Sequence, residues 1–302
     1  MKEQPMDLSF RLYVHNCYLM PYLATWLVPV FRGCKNIKER AAAIGKLAKD
    51  CDIVLLQEVW GSGTNELVQE LAETHEIPLK NQPAPLFFLN VPKTYCMTTG
   101  GLFEAWKMRF GLVSAGFCRF SNSVPFSNQG IGHTLLEETR NGDVRRVLLF
   151  NTHWNVLLEE EGFMEQLGET VDAIAVTIEA ITASHPTAPL SVILAGDFNI
   201  DPEMNEAVYK KLLTLNDRGK ARDLYKGTDL SLIAHDPINR TGNSYYWWNW
   251  TGRCDFVLAI DSLEDKWEFC RLECDDMEMV TYPYGQELSD HYAITGTIRI
   301  CE

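Results

Sequence analysis

The chain has 302 residues, of which 46% are hydrophobic and 23% charged, a composition that excludes disorder and a fibrous repeat and allows a large buried core. Lysine and arginine number 27 against 41 aspartate and glutamate, giving a net charge of −14. Such a surface repels polyanions at long range, which argues against nucleic acid as the first partner.

Met1 to Asp7 is charged and holds no apolar signal core. Phe10–Asn16 alternates and ends on a polar residue, as a strand that delivers Asn16 to its tip. Leu19–Phe31 is apolar, but Pro21 and Pro29 interrupt it and it is too short to span a bilayer. Asn36 with Glu39 reads as a capping box before an alanine-rich helix over about Ile37 to Asp50. Asp52–Gln57 encloses a continuous apolar run, as in a strand buried on both faces, and it stops at Glu58. A helix is expected around Asn65–His75. Prolines 78, 83, 85 and 92 and the pair Gly100-Gly101 make most of 76–110 loop.

Strand patterning resumes at Gly111–Phe120. His133–Arg140 and Val144–Asn151 flank Asn141-Gly142, a strong hairpin signal. Leu167, Val171, Ile174, Ile178 and Ile181 mark one helix face. Ser191–Ala195 is another buried strand, ending in Gly196-Asp197-Phe198-Asn199, and a helix follows from about Glu203 to Leu215. Cys254–Ile260, Trp267–Cys274 and Tyr292–Ile300 read as the last strands. Interleaved strands and helices fit two sheets packed face to face with helices outside, in a single domain covering 1–302.

Nine cysteines include no CxxC pair or zinc-spaced cluster. Cys17, Cys51, Cys118 and Cys254 sit in or beside apolar runs and read as small buried hydrophobes. Cys270 and Cys274 share one strand face, a poor geometry for a disulfide. Free thiols fit a reducing compartment, so the expected location is cytoplasmic, with peripheral contact at membranes.

Six short polar motifs follow or end apolar strands: His15-Asn16, Gln57-Glu58, Asn151-Thr152-His153, Gly196-Asp197-Phe198-Asn199, Arg253-Cys254-Asp255-Phe256 and Ser289-Asp290-His291. Any one of them alone is a turn or a solvated loop; together they have the pattern of a site assembled from strand ends on a rigid scaffold.

On these residues the chain resembles the endonuclease/exonuclease/phosphatase (DNase I-like) superfamily, and within it the neutral sphingomyelinases. The resemblance is most specific in His15-Asn16-Cys17-Tyr18, Glu39-Arg40 and Asp52 to Trp60, and the order of Asn, Glu, His, Asp-x-Asn and Asp-His then runs to residue 291. It implies a four-layer α/β/β/α sandwich of two mostly antiparallel sheets. It implies Glu58 as the main ligand for Mg2+, with Mn2+ as an alternative, Asn16 beside it, and Asp290 at a second metal position. His291 would activate water and Asp255 would orient that imidazole; Asp197 would hold the water and Asn199 would donate to a phosphoryl oxygen. His153 would stabilise the transition state or protonate the leaving oxygen, and the sequence leaves open which histidine is base and which acid.

The expected substrate is a phospholipid, sphingomyelin or a lyso-choline lipid, cleaved to release phosphocholine. The apolar run Leu19–Phe31 could face it, and Tyr245, Tyr246, Trp247, Trp248 and Trp250 could receive a choline cation through their rings. Two departures stand out. Secreted bacterial sphingomyelinases carry an aromatic hairpin before the final Asp-His, where this chain has Glu273, Asp275, Asp276 and Glu278, with Met277, Met279, Val280, Tyr282 and Tyr284 as the apolar candidates. Ser121-Asn122-Ser123-Val124-Pro125 lacks the basic residue that related chains place after the serine. Alternatives are a nuclease of the same superfamily, an inositol-phosphate phosphatase, and a non-catalytic binding module on that scaffold.

Overall fold

The computed structural model describes residues 8–19, 36–60, 63–77, 101–122, 129–140, 142–156, 158–185, 189–225, 252–282 and 288–301. In chain order the elements begin with β1 (Leu8–Leu19), α1 (Ile37–Ala48), β2 (Ile53–Val59), α2 (Thr64–Leu71), β3 (His75–Glu76), β4 (Phe103–Lys107) and β5 (Gly111–Arg119). There follow β6 (Gly130–Arg140), β7 (Asp143–His153), α3 (Glu160–Ser184), β8 (Leu190–Asp197), α4 (Glu206–Leu213) and β9 (Gly219–Asp223). The last are β10 (Asp255–Leu263), β11 (Trp267–Glu268), β12 (Arg271–Glu273), β13 (Glu278–Val280) and β14 (Ala293–Cys301).

Among the described residues these strands form two seven-stranded sheets. The first runs β12-β14-β1-β2-β4-β3, with β13 also on β14; the second runs β11-β10-β8-β7-β6-β5, with β9 also on β10. Each sheet has one parallel pair at its centre, β1–β2 and β7–β8, and α1 and α3 provide the crossovers that parallel pairing requires. The neighbours β14–β1 and β8–β10 are antiparallel. The C-terminal ends of β1, β2, β7 and β8 and the N-terminal ends of β10 and β14 therefore share one end of the molecule.

Side-chain alternation builds the layers. Leu12, Val14, Ile53 and Leu55 face Val147, Leu149, Ile193, Ala195 and Val257 between the sheets. The intervening residues Tyr13, Val54 and Leu56 pack with Ala41, Ile44 and Leu67 of α1 and α2. On the second sheet Leu148, Phe150, Val192 and Leu194 pack with Leu167, Val171, Ile174 and Ile178 of α3, the face expected from the sequence. Two-period strands buried on both sides thus give the expected four-layer α/β/β/α, DNase I-like sandwich. Among the described residues no helix is long and apolar enough to cross a membrane.

Several local readings need correction. Asn36 lies in the left-handed region at φ 54° and makes no side-chain cap, so the Asn36–Glu39 capping box does not form. The helix read as Asn65–His75 stops at Leu71, and His75 begins a short strand on β4. Phe103–Lys107, read as loop, is a strand beside β2, and Gly219–Asp223 and Glu278–Val280 are further strands that patterning did not show. The helix read over about Glu203 to Leu215 is Glu206–Leu213.

Trp267–Cys274 is two strands, not one: β11 pairs with β10 and β12 with β14, so the chain passes from one sheet to the other between them. Cys270 and Cys274 are not joined in a disulfide, and Cys118, expected to be buried, is exposed on the edge strand β5. Met277 and Met279 are partly buried against the inter-sheet core. Within Leu19–Phe31 only Leu19 is described, and it is buried. Residues 20–31, 123–128, Asn141, the aromatic run 245–250 and Tyr284 lie outside the described residues.

Candidate active site

Polar bonds cross between the sheets at the end where the strand tips meet. Gln57 Nε2 donates to Asn151 Oδ1 at 2.7 Å, and Asn151 Nδ2 donates back to the carbonyls of Leu56 and Phe103 at 3.2 and 3.3 Å. Asn16 Nδ2 donates to Asp197 Oδ2 at 2.8 Å, and His291 Nδ1–H donates to Asp255 Oδ2 at 2.7 Å. Apolar alternation stops where these pairs begin, so the inter-sheet layer changes there from hydrophobic to hydrogen-bonded.

Local backbone distortions aim the site residues. The β1–β2 register shifts between Asn16 and Leu19, a bulge of the kind that redirects side chains at sheet ends. Tyr18, Glu58 and Asn199 have φ of 46°, 54° and 50°, a conformation that costs a non-glycine residue energy and tends to gather at functional sites. Gly196 has φ 136°, and a Cβ there would lie 2.0 Å from the Thr152 carbonyl oxygen, so β8 can close on β7 at this point only with glycine. The Gly-Asp-x-Asn motif therefore has a steric basis as well as a chemical one.

The structure brings every predicted site residue to this end. Asp197 is central: His153 Nε2 and His291 Nε2 each lie 3.8 Å from its Oδ2, while the Asn199 backbone N–H donates to Oδ1 at 2.8 Å. His153 Nε2 is also 3.7 Å from Glu58 Oε1, and Asn16 Nδ2 donates to that same oxygen at 3.2 Å. Asn16 Oδ1 accepts from the Tyr18 N–H, so Asn16 is here a donor to two carboxylates. Asn199 Nδ2 donates to the Trp154 carbonyl at 2.7 Å, which leaves its second amide proton for another acceptor. Asp290 is buried, with its Oδ1 3.2 Å from Ser289 Oγ.

Electrostatics divide the site into two poles. Burial, followed by the charge of Asp290, pushes the Glu58 carboxyl up to about 8. Its Oε2 has no hydrogen-bond partner among the described residues. A buried carboxylate of this kind, beside a second carboxylate, is stabilised as an anion by a divalent cation, and the oxygens of Glu58 and Asp290 suit a hard one; Asn16, expected as a ligand beside Glu58, instead turns its Nδ2 toward that carboxylate and its Oδ1 toward the Tyr18 N–H. At the other pole burial opposes charge on His291, but Asp255 and Asp197 outweigh it and hold the imidazole well above its usual range. Burial and then the charge of His291 lower His153 to about 4, so this imidazole is neutral.

Asp197, Asp255 and His291 also have ligand atoms within 4.8 Å of one another and form a group that could hold a metal. The 2.7 Å bond between His291 Nδ1 and Asp255 Oδ2 would have to open only if those two atoms were the ligands.

Sequence reasoning named Arg40 without a role and said nothing of His15 or Ser289 beyond their motifs. In the structure Ser289 Oγ donates to the Asn16 carbonyl at 2.6 Å, and His15 Nε2–H donates to the His291 carbonyl at 3.1 Å. Both join the β1 tip to the 288–291 segment. The signal available was their position beside site residues; their hydrogen bonds depend on the antiparallel β1–β14 pairing.

Comparisons with known proteins agree with the fold. A family model described as "Endonuclease/Exonuclease/phosphatase family" matches residues 24–291. No curated protein matches the sequence. Among solved structures, sphingomyelinase C from Streptomyces griseocarneus is similar at TM-score 0.60 and 18% identity, over 96% of this chain and 99% of that one. A variant of beta toxin from Staphylococcus aureus with bound magnesium ions is similar at TM-score 0.62 and 18% identity, over 98% and 100%. TDP2 from D. rerio complexed with a single-strand DNA product is similar at TM-score 0.60 and 15% identity, over 97% and 99%.

Proposed function

Given that this chain belongs to the endonuclease/exonuclease/phosphatase family, whose members are phosphoesterases, we propose that it is a Mg2+-dependent phosphodiesterase acting on the headgroup ester of a choline phospholipid, with sphingomyelin favoured. The observation that carries the hydrolytic reading is the placement of Asp197 between two imidazoles of opposite character, both within 3.8 Å. Glu58 and Asp290, with Asn16 beside them, would hold the metal, and Mn2+ would serve in its place. When bound, the cation neutralises these carboxylates and polarises a phosphoryl oxygen.

The chain's own groups supply the rest. Asp197 accepts a hydrogen bond from the attacking water and orients it. His291 takes the water proton in its neutral form, which its raised pKa confines to the higher end of the pH range, and Asp255, already bonded to Nδ1, stabilises the imidazolium that forms. Neutral His153 donates an N–H to the phosphoryl group, and Asn199 donates its second amide proton, as charge builds on the equatorial oxygens; the P–O bond to the alcohol then breaks, the departing alkoxide takes a proton from solvent water, and His291 releases to solvent the proton it accepted. Asn16 fixes Glu58 and Asp197 relative to one another.

A lipid substrate is supported by the net charge of −14, by the N-terminal His15-Asn16-Cys17-Tyr18 resemblance and by the likeness to sphingomyelinase C. Contact with a membrane surface would be peripheral, and a cytoplasmic location is proposed because none of the described cysteines is in a disulfide. The second reading is a nuclease, favoured by the likeness to TDP2 with its DNA product. The deciding experiment incubates the protein and Mg2+ with sphingomyelin, lysophosphatidylcholine, single-stranded DNA and an inositol phosphate. Phosphocholine release from the choline lipids alone is the expected result. Cleavage of DNA alone would replace the lipid reading with the nuclease one.

A further inference from the structure

Helix α1 turns Arg40, Ala41, Ile44, Gly45 and Ala48 toward the protein. Four of these are small or apolar, and the fifth is a guanidinium with 5% of its surface exposed. A cation buried on an apolar helix face costs several kcal/mol unless its donors are used. Among the described residues the bonds of Arg40 go to backbone carbonyls. Nη2 donates to Cys17 O at 2.9 Å and to Tyr18 O at 3.2 Å, and Nε donates to Leu288 O at 2.5 Å, while Nη1 has no hydrogen-bond partner among the described residues.

These carbonyls belong to two segments of the site. Cys17 and Tyr18 follow Asn16 in the β1 bulge, where the register shifts and Tyr18 takes its positive φ. Leu288 precedes Ser289, Asp290 and His291. The planar fork of arginine can hold acceptors from both segments at once, and an ammonium cannot match its geometry. Ser289 Oγ, donating to the Asn16 carbonyl, ties the same two segments a few ångströms further along.

We infer that Arg40 is a positioning residue whose guanidinium clasps the Asn16 segment to the Asp290–His291 segment, fixing the metal-binding and proton-transfer groups in one frame. This deepens the phosphodiesterase reading and rests on its assignment of those groups. The clasp explains why a charged side chain occupies an otherwise apolar helix face, and it makes the helix opposite the first sheet part of the site's support.

The test compares the full-length wild-type chain with Arg40→Lys and Arg40→Met. Three quantities are measured: the Mg2+ concentration for half-maximal thermal stabilisation, the low-field proton signal of His291 Nδ1–H bonded to Asp255, and hydrolysis of bis(p-nitrophenyl) phosphate. Both variants are expected to raise the Mg2+ midpoint and lower the rate by about 10–100-fold, the usual cost of losing a supporting bond behind a metal site. They should also shift or broaden the His291 signal, with Lys no better than Met despite its charge. Folded Arg40 variants that keep the wild-type Mg2+ midpoint and proton signal would overturn the proposal and leave Arg40 a core residue only. If neither variant folds, Ser289→Ala cuts the neighbouring tie, and wild-type values there would sink the clasp. The midpoint and the proton signal need no substrate, so a wild type that fails to hydrolyse any phosphodiester defeats the functional reading without deciding this one.

Discussion

His291 Nδ1 lies 2.7 Å from Asp255 Oδ2, although the residues are 36 positions apart and stand at the ends of strands in different sheets. The bond couples the two halves of the sandwich at the point where chemistry is proposed. Asp255→Asn keeps the size of the side chain but presents an amide to the imidazole. By analogy with carboxylates that orient a catalytic histidine, kcat should fall by about 10^3–10^4-fold with little change in KM. Steady-state kinetics at saturating Mg2+ measures this; a loss confined to KM would remove Asp255 from its role.

Metal binding should appear in thermal unfolding. Burial and Asp290 raise Glu58 to about 8, so protons and the cation compete for the same carboxylate. Saturating Mg2+ should therefore raise Tm more at pH 8.5 than at pH 6.5, with a gain of about 2.7 kcal/mol at one hundred times Kd. Glu58→Gln should abolish the shift. A Glu58→Gln protein with the full Mg2+ shift would place the metal elsewhere, with Asp197, Asp255 and His291 the next candidates.

The neutral character of His153 predicts an asymmetry between the histidines. His153→Gln can still donate one N–H and should retain more activity than His153→Ala, which is expected to lose about 10^2–10^3-fold in kcat, as when a transition-state donor is removed. His291→Gln cannot accept the water proton and should be as inactive as His291→Ala. Equal losses for both His153 variants would show that more than a hydrogen-bond donor is required there.

A pH effect on stability follows from His75, far from the site. Burial is the main cause that lowers its pKa, and the neutral ring is satisfied: Nε2–H donates to the Cys51 carbonyl at 2.8 Å and Nδ1 accepts from Thr74 Oγ1 at 2.8 Å. Below about pH 6.5 the unfolded chain takes up a proton that folded His75 refuses, so stability is lost as pH falls through that range. In urea unfolding between pH 7 and pH 5, His75→Gln should show a smaller drop in midpoint than wild type. An identical drop would assign the pH dependence to other groups.

Leu149 is 1% exposed between the sheets. Leu149→Ala should cost about 2–5 kcal/mol, the range for a core truncation that leaves a cavity. Met204, 69% exposed beyond the Asn199 turn, should tolerate alanine within about 0.5 kcal/mol. Chemical denaturation of both variants separates core from rim.

What the sequence disclosed divides along physical lines. Strands buried on both faces, such as Asp52–Gln57 and Ser191–Ala195, were legible because nothing but the core accepts such runs, and the polar residues at their ends marked the site. The strand Phe103–Lys107 was hidden because its Glu104 is buried with Thr134 as a hydrogen-bond donor, so alternation is masked by a paired polar group. Gly219–Asp223 reads as polar because Arg222 meets Asp261 through two bonds, at 2.6 and 2.8 Å. The capping box at Asn36 failed because a spacing rule does not fix backbone conformation. Arg40 could not be read as support for the site, since an arginine in a helix is usually solvated and its carbonyl partners lie 22 to 248 residues away.

The two parallel pairs place Asn16 and Glu58 on one sheet and His153 and Asp197 on the other. Shear of one sheet over the other would leave each half intact and change only the spacing across the seam, so the proposed turnover should respond to it. The Gln57–Asn151, Asn16–Asp197 and His291–Asp255 bonds act as pins against that slip, and loosening any of them should slow the enzyme before it unfolds it.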